Sequence, residues 1–176
     1  MITQVISKKH ECYKKVAHLR LAMARPRDWR DNLRCIHVDE NGRGAATDGR
    51  RMHLTYDLPN EWRGKYFTVD GTKTNPVIVE IEPIGRFPKV DVAIPNPDTL
   101  KVVTTTSNDI NEIVFKVSSV LNRCLDVSFI KDAVVNSPEF LKFSTTMSIN
   151  AEPVVMTDSD DNVLAVLMPI RINKPE

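Results

Sequence analysis

The spacing of apolar residues predicts one amphipathic helix near the start of the chain. Four apolar side chains recur at helical spacing, namely Cys12, Val16, Leu19 and Met23. Projected at about 100° per residue, they fall on one narrow stripe. We expect the helix to begin after Ser7, a plausible N-cap, and to end at about Ala24, because Pro26 cannot continue it.

The helix face opposite this stripe is basic. Its members are Lys14, Lys15, His18 and Arg25. The loop that follows adds Arg27, Trp29 and Arg30. Arginines interleaved with an aromatic side chain suit phosphate contact and stacking on bases or sugars. The alternatives are a basic face that is merely solvated and a Trp29 that caps the core.

Before and after the helix, short apolar runs alternate with turn residues. The expected strands are Met1–Ile6, Leu33–Val38, Ala45–Thr47, Met52–Tyr56, Tyr66–Val69, Val77–Ile81, Ile113–Phe115, Phe140–Phe143, Met147–Ile149, Val154–Met156 and Val163–Ile172. The expected turns are 39–42, 48–49, 70–71 and 158–162. A second helical stripe follows Phe115, formed by Val117, Val120, Leu121 and Cys124. A helix followed by strands therefore occurs twice, which predicts an α+β fold of two repeats.

The segment from Gly44 to Leu54 combines a tight turn with two cationic side chains. Asp48-Gly49 is a turn dipeptide, and Gly tolerates a positive φ at no steric cost. Arg50 and Arg51 leave the turn on opposite faces, as successive residues of a strand do. The segment predicts an exposed corner that contacts a ligand, with an ordinary hairpin and solvated arginines as the alternative.

The composition indicates a soluble globular protein whose charge is unevenly distributed. The 176 residues are 41% apolar and 27% charged, with a formal net charge of +1. Residues 1–65 contain 14 Lys and Arg against 8 Asp and Glu, whereas the remainder contains 10 against 15. A basic first third suggests a polyanion or an acidic partner for that part. Two solvated surfaces of unlike charge are the alternative.

Membrane and metal partners find little support in the sequence. We find no run of about 18 apolar residues and no signal-peptide core, so we expect a cytoplasmic protein without a membrane partner. The three cysteines are odd in number and widely spaced, which argues against a disulfide framework. A zinc site assembled from His10, Cys12, Cys35 and His37 is an alternative, but its one-residue spacings are not those of a zinc knuckle. We expect no metal and no cofactor.

No catalytic motif stands out, so we predict that the protein is not an enzyme and has no catalytic residues. There is no glycine-rich phosphate loop, no recognisable Ser/His/Asp order and no His-Glu-x-x-His helix. The best enzyme alternative is a nuclease in which Asp158, Asp160 and Asp161, with Asp48, bind Mg²⁺. Acidic clusters in hairpin turns are more often solvated.

Two motifs resemble the bacterial sliding clamp, the β subunit of DNA polymerase III. Thr47–Met52 resembles the clamp signature Thr-Asp-Gly-His-Arg-Leu, and Val166–Ile172 resembles its C-terminal Val-Met-Pro-Met-Arg-Leu type strand. Gly85–Pro88 with Ile94–Asp98 resembles the connection between the clamp's middle and last domains, and Phe115–Leu121 resembles the opening of the last domain's second half. The resemblance implies a groove for client peptides lined by Thr47, Gly49, Arg50, Arg51, Met52, Pro95, Val166, Met168, Pro169, Ile170 and Arg171. Asp31 departs from the apolar pocket residue found near this place in the family.

The resemblance also implies a DNA-clamp fold and DNA contacts. It implies one clamp-like domain over 1–176, with a first repeat at about 1–69, a connector at about 70–111 and a second repeat at about 112–173. The implied duplex contacts, together with the basic helix face, are Lys14, Lys15, His18, Arg25, Arg27, Trp29 and Arg30. A clamp ring contains six domains, so a single-domain chain implies a hexamer or another closed homo-oligomer.

The resulting functional hypothesis is a non-enzymatic, sliding-clamp-like replication accessory protein. It would bind duplex DNA without sequence specificity and tether polymerase or other clients through the peptide groove. The alternative is an unclosed monomeric or dimeric module, such as a phage or mobile-element regulator, that binds client peptides without encircling DNA. The second helix has few cations, which favours this alternative.

Overall fold

The protein consists of two compact units, each built from helices and an antiparallel sheet. The computed structural model describes residues 1–83, 85–95, 100–107, 109–137, 140–146 and 152–170. The first unit is Met1–Pro88 and the second is Lys89–Glu176. Each unit has its own hydrophobic core, and each is described by itself. No helix among the described residues is long and apolar enough to cross a membrane.

The first unit places one helix on a six-stranded sheet. Its elements in chain order are β1 (Thr3–Val5), α1 (Tyr13–Ala22), β2 (Ile36–Val38), β3 (Gly44–Thr47), β4 (Arg51–Thr55), β5 (Tyr66–Gly71) and β6 (Pro76–Ile81). The strand order is β1-β6-β5-β2-β3-β4, and the pairs are antiparallel. Helix α1 packs on β3 and β4. This packing sets the helix beside the hairpin that contains the Asp48-Gly49 turn.

The predicted apolar stripe of α1 is the side that faces the first core. Cys12, Val16 and Leu19 are buried, and Met23 packs at the edge of the same cluster. A neighbouring part of this core contains Trp62, whose ring centroid lies 5.5 Å from that of Phe67. Removing apolar area of this kind from water stabilises the fold by roughly 25 cal/mol per Å².

The helix begins later than the sequence predicts. It starts at Tyr13 with Cys12 as the N-cap, and not after Ser7. The Cys12 N–H donates to Nδ1 of His10 at 3.1 Å, and the His10 N–H donates to the Ser7 carbonyl at 2.9 Å. These local bonds hold turns ahead of the helix. The end lies close to the predicted one, because Met23 is extended with ψ 144°.

Two other expectations for the first unit need correction. Leu33–Val38 was expected to be one strand, but Asp31–Leu33 forms a 3-10 turn and β2 begins at Ile36. Asp70-Gly71 was expected to be a turn, but both residues belong to β5 and pair with β6. The chain reverses beyond them, where the Asn75 N–H donates to the Thr72 hydroxyl oxygen at 3.1 Å.

The second unit also combines helices with an antiparallel sheet. Its elements are α2 (Val90–Ala93), β7 (Leu100–Thr105), α3 (Ile110–Leu121), α4 (Val127–Val134), β8 (Leu141–Thr146), β9 (Val154–Thr157) and β10 (Val163–Leu167). The strand order is β10-β9-β8-β7, with antiparallel pairs. Helix α3 packs on β7 and β8, and α4 packs on β10.

The expected strand Ile113–Phe115 is wrong, because these residues lie within α3. The Asp109 side chain caps the helix by accepting the Asn111 N–H at 2.8 Å. Ile113 is buried together with Val117 four residues later, whereas Phe115 is 72% exposed. Burial every fourth residue is the helical period, and it outweighs the strand preference of the local Ile-Val-Phe run.

The segment expected to be a connector, residues 70–111, contains regular structure. Strand β6 belongs to the first unit, and α2 and β7 belong to the second. Helix α4 was also not predicted. The turn expected at 158–162 is confirmed by the Asp158 N–H, which donates to the Asn162 carbonyl at 3.1 Å. The expected strand Met147–Ile149 lies outside the described residues, and β10 ends at Leu167.

Candidate nucleic-acid interface

Asp48 organises the turn between β3 and β4. Its carboxylate accepts the N–H of Arg50 at 2.9 Å and of Arg51 at 3.1 Å, and it pairs with the Arg51 guanidinium at 3.1 Å. The Gly49 N–H donates to the Thr47 hydroxyl oxygen at 3.0 Å, and that hydroxyl donates to the Arg51 carbonyl at 2.6 Å. Gly49 has φ +83°, which favours glycine. The predicted turn is confirmed.

Arg30 joins the 25–30 loop to this turn. Its guanidinium donates two hydrogen bonds to the Asp28 carboxylate, from Nε at 2.9 Å and from Nη2 at 2.8 Å. Nη2 also donates to the Asp48 carbonyl at 2.9 Å. These bonds from Arg30 hold the pKa of Asp28 down at about 2. Because the fork geometry is fixed, loop and turn are positioned together.

Further hydrogen bonds within and beside the 25–30 loop hold its backbone. The Asp28 N–H donates to the Arg25 carbonyl at 2.9 Å, and the Arg34 guanidinium donates to the Pro26 carbonyl at 2.7 Å. Arg34 forms a further ion pair with Asp31. The departure noted at Asp31 therefore has a local electrostatic role beside the loop.

Three arginines around this junction remain available to a ligand. Arg25, Arg27 and Arg50 are exposed, and within the described part of the chain no ion pair involves them. Trp29 is 87% exposed. We call this set, together with Arg30 and Gly49, the Arg/Trp surface. It brings the predicted DNA loop next to part of the predicted peptide-groove motif.

His18 does not belong to a basic outer face, and its predicted DNA contact is wrong. It is buried, and its ring stacks on that of His53 with centroids 4.4 Å apart. The reason is that α1 packs on β4, which contributes His53. The pKa of His53 is held well below its ordinary value, mainly because the ring is buried and secondarily because His18 lies beside it. His53 therefore favours its neutral form in the folded protein.

The two lysines predicted on the same helix face lie toward solvent. Lys14 is exposed, and Lys15 is half-buried with its Nζ donating to the Asp57 carbonyl at 2.8 Å. Lys14 is thus the helix cation that is most open to a phosphate, while Lys15 already has a structural bond.

The residues predicted to line the peptide groove occur in both units. In the first unit Gly49 and Arg50 are exposed, Arg51 is half-buried and held by Asp48, and Thr47 and Met52 are buried. In the second unit the placements differ again: Met168 and Ile170 are exposed, Pro95 and Pro169 half-buried, and Val166 buried. Arg171 lies outside the described residues. Their assembly into one groove stays a prediction.

The outer face of α3 is neutral, unlike the Arg/Trp surface. Its one lysine, Lys116, pairs with Glu112 at 2.6 Å. A shallow hollow of about 500 Å³ on this face is lined by Asn111, Val114, Phe115, Ser118, Ser119 and Val127. The structure therefore agrees with the low positive charge that the sequence indicated for the second helix.

The acidic residues weighed as a Mg²⁺ site have other partners. Asp158 accepts the N–H groups of Asp160 at 3.0 Å and Asn162 at 2.9 Å, and Asp161 pairs with Lys142 at 2.5 Å. Among the residues with described positions, no group of three His, Cys, Asp or Glu side chains could hold a metal ion.

Sequence reasoning missed Asp28 as part of this site. The available signal was local, because an aspartate two residues before an arginine in a loop can pair with it. The link from Arg30 to Asp48 spans 18 residues, and no local pattern indicates it.

Comparison with solved structures identifies the fold as that of bacterial sliding clamps. The DNA polymerase III β subunit of Thermotoga maritima matches with a TM-score of 0.61 and 15% identity, over 98% of this chain and 66% of that one. The Bacillus subtilis sliding clamp matches with a TM-score of 0.60 and 12% identity, over 98% and 65%. The Helicobacter pylori β clamp, solved with a DNA ligase peptide, is 10% identical over 96% and 65%. The chain therefore spans about two thirds of the length of these clamps.

No protein-family model and no curated protein matches this sequence. The likeness in structure is thus the finding that classifies the chain: it has the sliding-clamp fold, as its sequence motifs predicted.

Proposed function

We propose that this chain is a non-enzymatic, clamp-like accessory protein of DNA replication. In this proposal it binds duplex DNA without sequence specificity and tethers polymerase or other clients through a peptide. The observation that supports DNA binding most is the Arg/Trp surface, which combines an exposed tryptophan with three exposed arginines that form no ion pair within the described part of the chain.

The charge arrangement suits phosphate contact rather than base reading. Arg25, Arg27 and Arg50 have guanidinium groups that are free to contact phosphates, while Arg30 is occupied by Asp28 and Asp48. Arginine pairs well with phosphate in a planar, two-bond geometry. Lys14 adds one further exposed cation from α1. Contacts of this kind hold the backbone and leave the bases unread, which permits sliding.

Client binding is the second part of the proposal. The exposed Met168 and Ile170, with Pro169 between them, offer apolar side chains to a peptide anchor. Arg50 offers a charge for the polar end of such a peptide. The clamp of H. pylori is described with a DNA ligase peptide, which supports the same type of partner here.

The assembly would be a closed homo-oligomer, a hexamer if each chain supplies one of six clamp domains. The alternative is the unclosed module that binds client peptides without encircling DNA. One observation favours it: the neutral outer face of α3, where Lys116 is paired and the hollow is apolar. Salt-dependent binding to duplex DNA separates the two.

The decisive experiment is the salt dependence of duplex affinity, measured by fluorescence anisotropy. Each phosphate contact contributes about 0.9 to the slope of log affinity against log salt concentration. Replacing Arg25, Arg27 and Arg50 by alanine together should lower that slope by about 2 to 3 and weaken binding.

The matched control removes three exposed lysines of the second unit, Lys89, Lys101 and Lys131, again as a triple alanine variant. This control variant changes the net charge by the same amount. It should retain most of the slope of log affinity against log salt concentration. Equal losses in both variants would indicate a diffuse charge effect and contradict the proposed interface. Absence of salt-dependent binding by the wild type would leave the unclosed module as the better account.

A further inference from the structure

Trp29 differs from the other tryptophan of the chain in how it is held. Trp62 is 2% exposed within the first core, whereas Trp29 is 87% exposed. Exposure alone is common for single apolar residues. What distinguishes Trp29 is that both of its neighbours are fixed, since Arg30 donates three hydrogen bonds to the Asp28 carboxylate.

The loop presents this ring on a supported backbone. The Arg30 N–H donates to the Asp28 carboxylate at 2.9 Å, and the Arg30 guanidinium reaches the Asp48 carbonyl at 2.9 Å. The backbone on either side of Trp29 is therefore anchored to the hairpin turn. A ring held out in this way loses less freedom when a ligand covers it.

Inside a DNA duplex, no base face is free for an aromatic ring such as Trp29 to stack on. Its base pairs are stacked on one another, so an indole reaches a base face there only by unstacking a step, which costs free energy. An unpaired base has an open face, and aromatic side chains stack on such faces regardless of sequence. The arginines beside Trp29 would neutralise the phosphates on either side of that base.

We propose that Trp29 stacks on an unpaired base beside the duplex held by Arg25, Arg27 and Arg50. The ligand of the Arg/Trp surface is then DNA with a junction between duplex and single strand. This inference rests on the proposed function, because it adds base stacking to a phosphate-binding surface.

The test compares three fluorescently labelled DNAs at one salt concentration: a blunt duplex, the same duplex with a short single-stranded overhang, and the overhang made abasic. Wild-type protein should bind the base-bearing overhang more tightly than the abasic one by about 5- to 150-fold, the range expected for stacking of one base. Trp29→Ala should abolish this preference, so that the base-bearing and the abasic overhang bind with equal affinity. Trp29→Phe should retain part of it.

The control is Phe115→Ala, which removes an exposed aromatic ring from the second unit and should leave the preference intact. Tryptophan emission gives a second readout, because stacking quenches Trp29 and leaves the buried Trp62 unaffected. The Trp29→Ala protein should therefore lose the quenching that the base-bearing overhang produces.

The outcomes separate this inference from the proposed function. Salt-dependent duplex binding with equal affinity for the two overhangs overturns the role of Trp29 and leaves the proposed function in place. If the wild-type protein does not bind the blunt duplex, the proposed function is overturned instead. Quenching of Trp29 by an acidic client peptide but not by the overhang would assign the ring to a protein partner and refute the inference.

Discussion

Replacing Gly49 by alanine tests whether the loop and the turn of the Arg/Trp surface form one structural unit. Gly49 has φ +83°, and a side chain in left-handed backbone costs about 1 to 2 kcal/mol. A Cβ at this position would also lie 2.5 Å from Nη1 of Arg30. Arg30 must then move, and we expect it to lose the hydrogen bond from its Nη2 to the Asp48 carbonyl.

The lost Arg30 hydrogen bond contributes only modestly to stability, because the Arg30 side chain is 34% exposed. A charge-assisted hydrogen bond contributes about 1.5 to 3 kcal/mol when well shielded, and solvent screening reduces it here to about 0.5 to 1.5 kcal/mol. Gly49→Ala should therefore lower the free energy of unfolding of the first unit by about 1.5 to 3.5 kcal/mol.

A double-mutant cycle with Arg30→Ala separates the backbone strain at position 49 from the loss of the Arg30 hydrogen bond. Without Arg30, Gly49→Ala should cost only the backbone term, so the coupling energy should be about 0.5 to 1.5 kcal/mol. Urea unfolding followed by the emission of Trp62, in the first core, measures each variant. Arg50→Ala is the control and should change stability by less than about 0.5 kcal/mol.

Two outcomes would refute this reasoning. A neutral Gly49→Ala would mean that the turn does not require a left-handed residue. An equal cost with and without Arg30 would mean that the guanidinium does not occupy the space over Gly49.

Two further predictions concern the first core. The folded protein holds the pKa of His53 below the ordinary value of 6.5, so the unfolded state binds more protons, and the melting temperature should fall as the pH drops from about 6.5 toward 5. A constant melting temperature over this range would contradict a neutral His53. Leu19→Ala should cost about 2 to 5 kcal/mol, because Leu19 is 0% exposed, whereas Lys14→Ala on the exposed side of α1 should cost less than about 0.5 kcal/mol in the same urea assay.

The sequence predicted best where one local pattern had one physical solution. The stripe through Val16 and Leu19 fits only a helix that buries that side. The Asp48-Gly49 dipeptide fits a turn with positive φ. In both places local preference and burial agree, and the structure confirms the predictions.

It predicted less well where local preference and packing disagree. Ile113–Phe115 is apolar and rich in β-branched residues, yet the cap at Asp109 and the burial of Val117 make it helical. His18 falls among cations on a helical projection, but it stacks on His53, 35 residues later in the chain. Partners so distant in sequence leave no local trace.

The candidate site shows the same division. Its residue types were recognisable, because arginines interleaved with a tryptophan suit phosphate contact and stacking; the exposure of Trp29, which the sequence left open, came from the structure. The way these residues are held was not recognisable, because the Arg30 guanidinium donates hydrogen bonds to the Asp28 carboxylate and to the Asp48 carbonyl. Arg50, assigned from its motif to a peptide groove, lies next to Gly49, over which the Arg30 guanidinium lies, and so belongs to the same surface as the predicted DNA loop.

The most direct test of a clamp-like role is the solution mass by light scattering, with and without a duplex of about 30 base pairs, at low and at physiological salt. The account predicts a closed oligomer, six chains if each supplies one clamp domain, either present alone or assembled on the duplex. A monomer or dimer whose mass is unchanged by DNA, even at low salt, would contradict it.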